Sequence, residues 1–231
     1  MMFGSFCRQP VQIPHFIEAD HQLIRALQSA SDAELIRGCC QEMDQAKFFA
    51  AFFCRYGAVT YSIFQHVANS QVQAEYTFAK AWQHMFERIQ QLDEHHINNI
   101  VWQNWVVDVA GNFLDNFQPP PIEKIHYRLA TGSPPLMCYV QRSLNLMQPL
   151  LRLLFMMDNH WRWPATRIIS HLRSEGEQVE DSDLLLYLTE SRKDFEKTLP
   201  IDLQEIYGKS AALDFDINTS GEIVNRGSLQ R

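Results

Sequence analysis

The segment FFAAFFCRYGAVTYSIF, Phe48 to Phe64, decides the fold. Phe49, Phe52 and Tyr56 recur at the spacing that lines one face of an α-helix, and nothing in the run shows the strict alternation of a half-buried strand. A helix this apolar is a core element of a bundle. Upstream, Ser31-Asp-Ala-Glu34 reads as a helix start, a capping serine with a glutamate three residues later. The helix it opens carries Leu35, Ile36 and Cys39 inward. Downstream, helical periodicity resumes from Gln71 to Leu92 and again from Ile97 to Phe117, and Pro119, Pro120 and Pro121 then forbid continuation.

The same reading extends to both ends. Residues 1–30 form an N-terminal extension, irregular to Pro14 and helical from Glu18 to Ser29. Pro119 to Pro121, followed by Gly132, Pro134 and Pro135, mark a boundary over 119–136. A helix from Met137 to Met157 follows, then Trp161-Arg-Trp163-Pro164, with proline at the first turn of a helix from Ala165 to Ser174. Gly176 marks a turn. Asp181 or Ser182 caps a last helix that Pro200 stops after Leu199. The polar stretch beyond Ala212 is expected to be mobile. The expected architecture is all-α: an extension (1–30), a helical bundle (31–118), a linker and connecting helix (119–146), a helix-turn-helix domain (147–208) and a tail (209–231).

Composition narrows the function. At 231 residues, 46% hydrophobic and 12% aromatic, the chain is globular and sizeable enough for one large or two small cores. A net charge of −7 argues against a general polyanion binder, because nonspecific nucleic-acid affinity comes from lysines and arginines neutralising phosphates. The five cysteines, Cys7, Cys39, Cys40, Cys54 and Cys138, are odd in number and include no Cys-x-x-Cys pair. With no secretory signal and no apolar run of membrane-spanning length, reduced thiols in a cytoplasmic protein are expected.

Catalytic chemistry finds no foothold. His95 and His96 follow two acids, but adjacent helical residues point apart and no His or Glu partner stands one turn away, so a solvated helix end is the reading rather than a metal site. There is no glycine-rich phosphate loop and no Gly-x-Ser-x-Gly elbow. The expectation is a non-enzyme with no cofactor, metal or catalytic residue.

Two groups of residues, in order, resemble the bacterial RNA polymerase sigma factors of the compact, two-domain extracytoplasmic-function type. Over roughly 31–118, Ser31 to Leu35 is similar to the family's acidic opening helix. Phe49, Phe52, Phe53, Arg55, Tyr56 and Tyr61 match its aromatic core helix. Thr77, Phe78, Ala81 and Trp82 match the end of its clamp-binding helix, and Trp105, Ala110, Asn112 and Asp115 its promoter-melting helix. In the C-terminal half, Ile168, Leu172, Leu184, Leu188, Ser191 and Phe195 resemble the promoter-reading helix-turn-helix. An ordinary helical hairpin accounts for these six positions equally well.

The resemblance implies a protein that binds core RNA polymerase and directs promoter recognition. Gln71, Gln73, Glu75, Lys80 and Gln83 are then the polymerase-contacting candidates, exposed on the helix that in the family grips the clamp. Trp102 and Trp105 would stack on unpaired bases, with Asn112 beside them, although burial in the bundle accounts for Trp105 as well. Arg162, Arg167, Arg173 and Arg192 would meet phosphates. An anti-sigma protein is a further partner class, and no membrane is involved.

The departures from the family pattern concern the polymerase contact, which the first puts in doubt, and then DNA. Gln71-Val72 stands where the family has an acidic pair, and no Lys or Arg lies between Arg88 and Lys124. Asp181 and Asp183 open the helix that would enter the major groove, where a recognition helix usually presents basic residues. Promoter DNA is therefore expected to be bound only weakly and within the holoenzyme. The alternative is a sigma-derived adaptor or regulator that has lost promoter binding.

Overall fold

A computed structural model describes residues 12–177, 179–180 and 182–208. Within these the chain is helical throughout, with no strand. A 3₁₀ turn, Ile17–Asp20, precedes α1 (Gln22–Arg25), α2 (Asp32–Gln41), α3 (Lys47–Val67), α4 (Gln71–Ile89), α5 (Glu94–Asn99) and α6 (Trp102–Asn116). A second 3₁₀ turn, Ile122–Lys124, leads to α7 (Pro134–Leu146) and α8 (Pro149–Phe155). A π turn, Met156–His160, leads on to α9 (Ala165–Ser174), α10 (Leu184–Thr198) and α11 (Ile201–Tyr207).

The expected start of α2 is present in full. Ser31 Oγ accepts from the Glu34 amide, and the Glu34 carboxylate accepts from the Ser31 amide at 2.7 Å. α3 crosses α2 at Gly38, where an added Cβ would sit 2.5 Å from the Phe48 ring, so only glycine permits that approach. Arg55 bridges to Asp32 and donates to the Ala30 carbonyl at 2.8 Å, while Tyr56 donates its hydroxyl to Asp32 at 2.6 Å. Arg55 and Tyr56 thus close the α2–α3 pair with polar contacts, and the α3 phenylalanines close it with apolar ones.

Three expected helices are interrupted. The span 18–29 forms the 3₁₀ turn and the single turn of α1. The span from Ile97 breaks at Ile100 and Val101, whose backbones are extended, so α6 begins at Trp102. Two successive β-branched residues lower helix propensity there, and the Asn99 side chain turns back to the His95 carbonyl. The span 137–157 breaks at Met147 and Gln148, because Pro149 cannot donate an amide to the preceding turn. His95 and His96 are exposed at the N-terminal end of α5, with His96 paired to Asp93. Ser182 bonds to the Asp183 side chain and does not cap α10. The other expected cap, Asp181, and the tail from 209 lie outside the described residues.

The apolar core is centred on Trp82, which is fully buried among Phe49, Phe52, Phe53 and Phe78. The expected linker belongs to this core. Ile125, Tyr127, Pro134, Pro135 and Leu136 are buried, Leu129 donates its amide to Glu75 at 2.9 Å, and α7 packs on α4. The seam between apolar clusters lies at α8 instead of over 119–136. Leu151 and Phe155 face the main core, while Leu154, with Met157 just beyond α8, faces a second cluster of Ile168, Ile169, Leu172, Val179 and Leu184.

α10 spans both clusters, with Leu184 in the second and Phe195 stacked on Phe155 at 4.3 Å in the first. α11 continues onto the N-terminal bundle. Asp202 accepts from the Ala46 and Lys47 amides at 2.9 and 2.8 Å, and Tyr207 donates to the buried Glu18 at 2.6 Å. Residues 195–207, expected within a separate helix-turn-helix domain, are part of the main core.

Burial also sets the thiol chemistry. Burial, with Glu18 adding to it, pushes the Cys54 thiol up to about 12. It raises Cys39 and Cys138 as well, and Cys40 in lesser degree with Glu94 adding. Only about one Cys54 in 10,000 is then thiolate at pH 8, and the thiolate is the reactive form. Iodoacetamide at pH 8 is expected to leave Cys39, Cys54 and Cys138 unlabelled in the native protein and to label them in urea, read by peptide mass spectrometry. Rapid native labelling of Cys39 or Cys138 would show that their helices open readily.

Candidate nucleic-acid interface

The concentration of arginine and tryptophan lies where α8 ends. The helix widens into the π turn, in which the Trp161 amide reaches back to the Met156 carbonyl at 2.8 Å and the Trp163 amide to Met157 at 2.9 Å. Between the two tryptophans Arg162 takes φ 50°, the one non-glycine residue in the left-handed region among those described. Such a conformation costs roughly 1–3 kcal/mol and persists where the surroundings fix it. Here the two flanking amide bonds and the buried Met157 fix it, and Arg162 is exposed.

Pro164 then fixes the entry to α9. The Arg167 guanidinium stacks over Trp163, 4.0 Å from the ring centroid, and Trp163 lies 5.1 Å from Trp161 at a shallow angle. His171, one turn beyond Arg167, meets the Trp163 ring edge-on at 5.6 Å. Arg173 is exposed at the end of α9. Arg162, Arg167 and Arg173 therefore share one exposed segment, with two half-buried indoles beside them. Their counterweight is the turn that follows, where Glu175, Glu177, Glu180 and Asp183 are exposed.

Arg192, the fourth expected phosphate contact, is held elsewhere. It binds Asp158 of the π turn at 2.6 Å, which secures α10 to α8 and spends its charge on a carboxylate. Leu185 and Leu186, at the start of α10, are exposed where a groove-reading helix would carry polar residues.

The expected base-stacking site is not open. Trp102 is only 6% exposed and edge-on to Phe52 at 5.9 Å and to Trp105 at 5.5 Å. Its indole nitrogen has no hydrogen-bond partner. Its ring fills the groove between α3 and α6, so it presents no face to an unpaired base. Trp105 is half-buried and Asn112 is exposed on the outer side of α6.

The polymerase-contacting candidates on α4 divide as well. Gln71 is exposed, whereas Gln73, Glu75, Lys80 and Gln83 are half-buried: the segment 125–136 and α7 lie along this helix, and Gln73 sits beside Phe64, Leu114 and Phe117. Glu75 accepts from Gln71 at 2.8 Å as well as from Leu129, and Lys80 donates to Gln83 at 3.0 Å.

Among the described residues no three His, Cys, Asp or Glu side chains gather as a metal site, and no helix is long and apolar enough to cross a membrane. The sequence places Trp161 and Trp163 only in the lead-in to a helix, whereas the structure sets them beside the arginines. The signal available was the pair of indoles flanking Arg162, with Arg167 one turn past Trp163. Compared with known proteins, the chain matches no family model, no curated protein and no solved structure.

Proposed function

We propose that this protein is a sigma-factor-like transcription initiation protein. It binds core RNA polymerase through its N-terminal bundle, and within the holoenzyme its C-terminal helices meet promoter DNA weakly. The observation that supports this most directly is the exposed run Arg162, Arg167 and Arg173 on a helical pair with its own apolar cluster, in a chain of net charge −7. A few exposed arginines, balanced by neighbouring acids on an acidic protein, suit a small number of phosphate contacts positioned by a partner better than free DNA binding. The protein works in the cytoplasm, with no cofactor and no catalysis of its own.

A second reading, a sigma-derived adaptor that binds polymerase without reading a promoter, gains from the buried Trp102 and from the Arg192–Asp158 pair. The deciding experiment is capture of core polymerase by the intact protein, followed by promoter-dependent transcription in vitro. Alanine at Arg162, Arg167 and Arg173 together is expected to preserve capture and to reduce the transcript by roughly tenfold or more, since a charge-assisted hydrogen bond contributes about 1.5–3 kcal/mol. Capture with no promoter-specific transcript selects the adaptor. Failure of capture sinks both readings.

A further inference from the structure

A cavity of about 330 Å³ opens between α7, α8 and the π turn, lined by Gln141, Leu144, Asn145, Arg152, Met156 and Trp161 among others. Its volume lies at the lower end of the roughly 300–1,000 Å³ usual for small-ligand sites, enough for one nucleotide and too little for a dinucleotide cofactor. The side chains of Gln141, Asn145 and Arg152 have no hydrogen-bond or ion-pair partner among the described residues. Arg152 and Gln141 are half-buried and Asn145 is exposed, so their polar groups face solvent and are open to a ligand. Trp161 is the cavity-lining end of the series in which Arg167 stacks on Trp163 and Trp163 lies against Trp161.

These groups match the parts of a nucleotide. An indole offers a planar face for a base, which stacks on any aromatic surface irrespective of sequence. Two carboxamides offer both donors and acceptors to a base edge. A guanidinium in the same wall suits a phosphate monoanion or dianion. Leu144 and Met156 supply the apolar contact that a sugar or lipid headgroup would not use. The acidic bulk of the chain disfavours a long polyanion, so recognition is confined to one unit.

We propose that this cavity binds a single nucleotide unit, with the base against Trp161, its edge on Gln141 and Asn145, and the phosphate on Arg152. The same chemistry is presented by a free nucleoside monophosphate and by one unpaired nucleotide of a single strand. The cavity adjoins the Arg162–Arg173 segment, along which a strand could leave. The inference stands on the cavity alone and is tested without polymerase, so its failure leaves the transcription reading untouched.

Isothermal titration calorimetry of the full chain is the test, with AMP, UMP, adenosine and a short oligothymidylate as probes. Saturable one-to-one binding of AMP or UMP is expected. Arg152→Gln should weaken the monophosphates by roughly tenfold while leaving adenosine unchanged, the loss of one charge-assisted bond. Trp161→Leu should weaken nucleotide and nucleoside alike, and Trp161→Phe should restore most of the affinity by keeping a stacking face. Tighter binding of the oligothymidylate than of UMP identifies a strand as the source, and the reverse order identifies the free nucleotide. Absence of saturable binding at millimolar concentration overturns the proposal. So does an unchanged Kd in folded Arg152→Gln or Trp161→Leu protein, folding being checked by circular dichroism. Should Trp161→Leu fail to fold, Arg152→Gln and the AMP-to-adenosine comparison in the unaltered protein decide the matter.

Discussion

Trp82→Ala is expected to lower the free energy of unfolding by about 3–5 kcal/mol, the range for removing a large aromatic from a packed core. The ring is fully buried, 4.9 Å from Phe53 and 5.9 Å from Phe49 between centroids, with Phe52 and Phe78 completing the cage. These neighbours come from α3 and from α4 itself, so inward collapse would have to shift two long helices. The site cannot heal cheaply, which places the expected loss toward the upper part of the range. Trp82→Phe separates packing from polarity. The indole donates to Thr60 Oγ1 at 3.1 Å, while that hydroxyl is also within hydrogen-bonding reach of the Tyr56 and Gly57 carbonyls. Thr60 therefore loses a donor and keeps its own bonds, and the phenylalanine variant should lose only about 1–2 kcal/mol. Urea unfolding followed by far-ultraviolet circular dichroism measures both. A loss below about 1 kcal/mol for Trp82→Ala would mean that the α3–α4 contact does not organise the core.

What the sequence made legible is what is local. Ser31 and Glu34 announce their own capping box because both partners lie within one turn, and the apolar face of α3 announces itself through its spacing. Pro119–Pro121 and Pro200 were legible as stops because each ends a run. Pro149 was not, since apolar residues continue on both sides of it and periodicity alone carries the helix through. Trp102 shows a different limit. Indoles at 102 and 105 are three apart, so both can reach the same face of a helix, and only the position of Phe52 on another helix decides which one is enclosed. Glu75 and Lys80 looked exposed on their own helix because the segment that covers them, 125–136, is proline-rich and reads as a linker. The arginine–tryptophan strip was partly legible. Its arginines stand out one by one in the sequence, but the stack that joins Arg167 to Trp163 and Trp161 depends on the π turn and on Arg162 taking φ 50°, which no residue pattern there specifies.

The contact least visible in sequence yields the second large effect. Asp202→Ala combined with Leu203→Ala is expected to destabilise the protein by about 3–5 kcal/mol, combining the loss of a helix-start acceptor with a buried leucine truncation. The N-terminus of α3 has no cap of its own, because Ala46 occupies the capping position. Its first amides, Ala46 and Lys47, are satisfied by the Asp202 carboxylate from 156 and 155 residues away. A carboxylate there also opposes the positive end of a long helix. Leu203 is fully buried in the main core beside it. The two changes are adjacent and will couple, so the single variants are needed to apportion the loss. Hydrogen exchange supplies the local signature. Asp202→Ala should speed exchange at the Ala46 and Lys47 amides specifically, while Asp202→Asn, which retains one good acceptor oxygen, should protect one amide better than the other. If α11 were merely the end of a detached C-terminal domain, both amides would exchange at the same rate in all three proteins. That result would remove the strap that joins the C-terminal helices to the bundle.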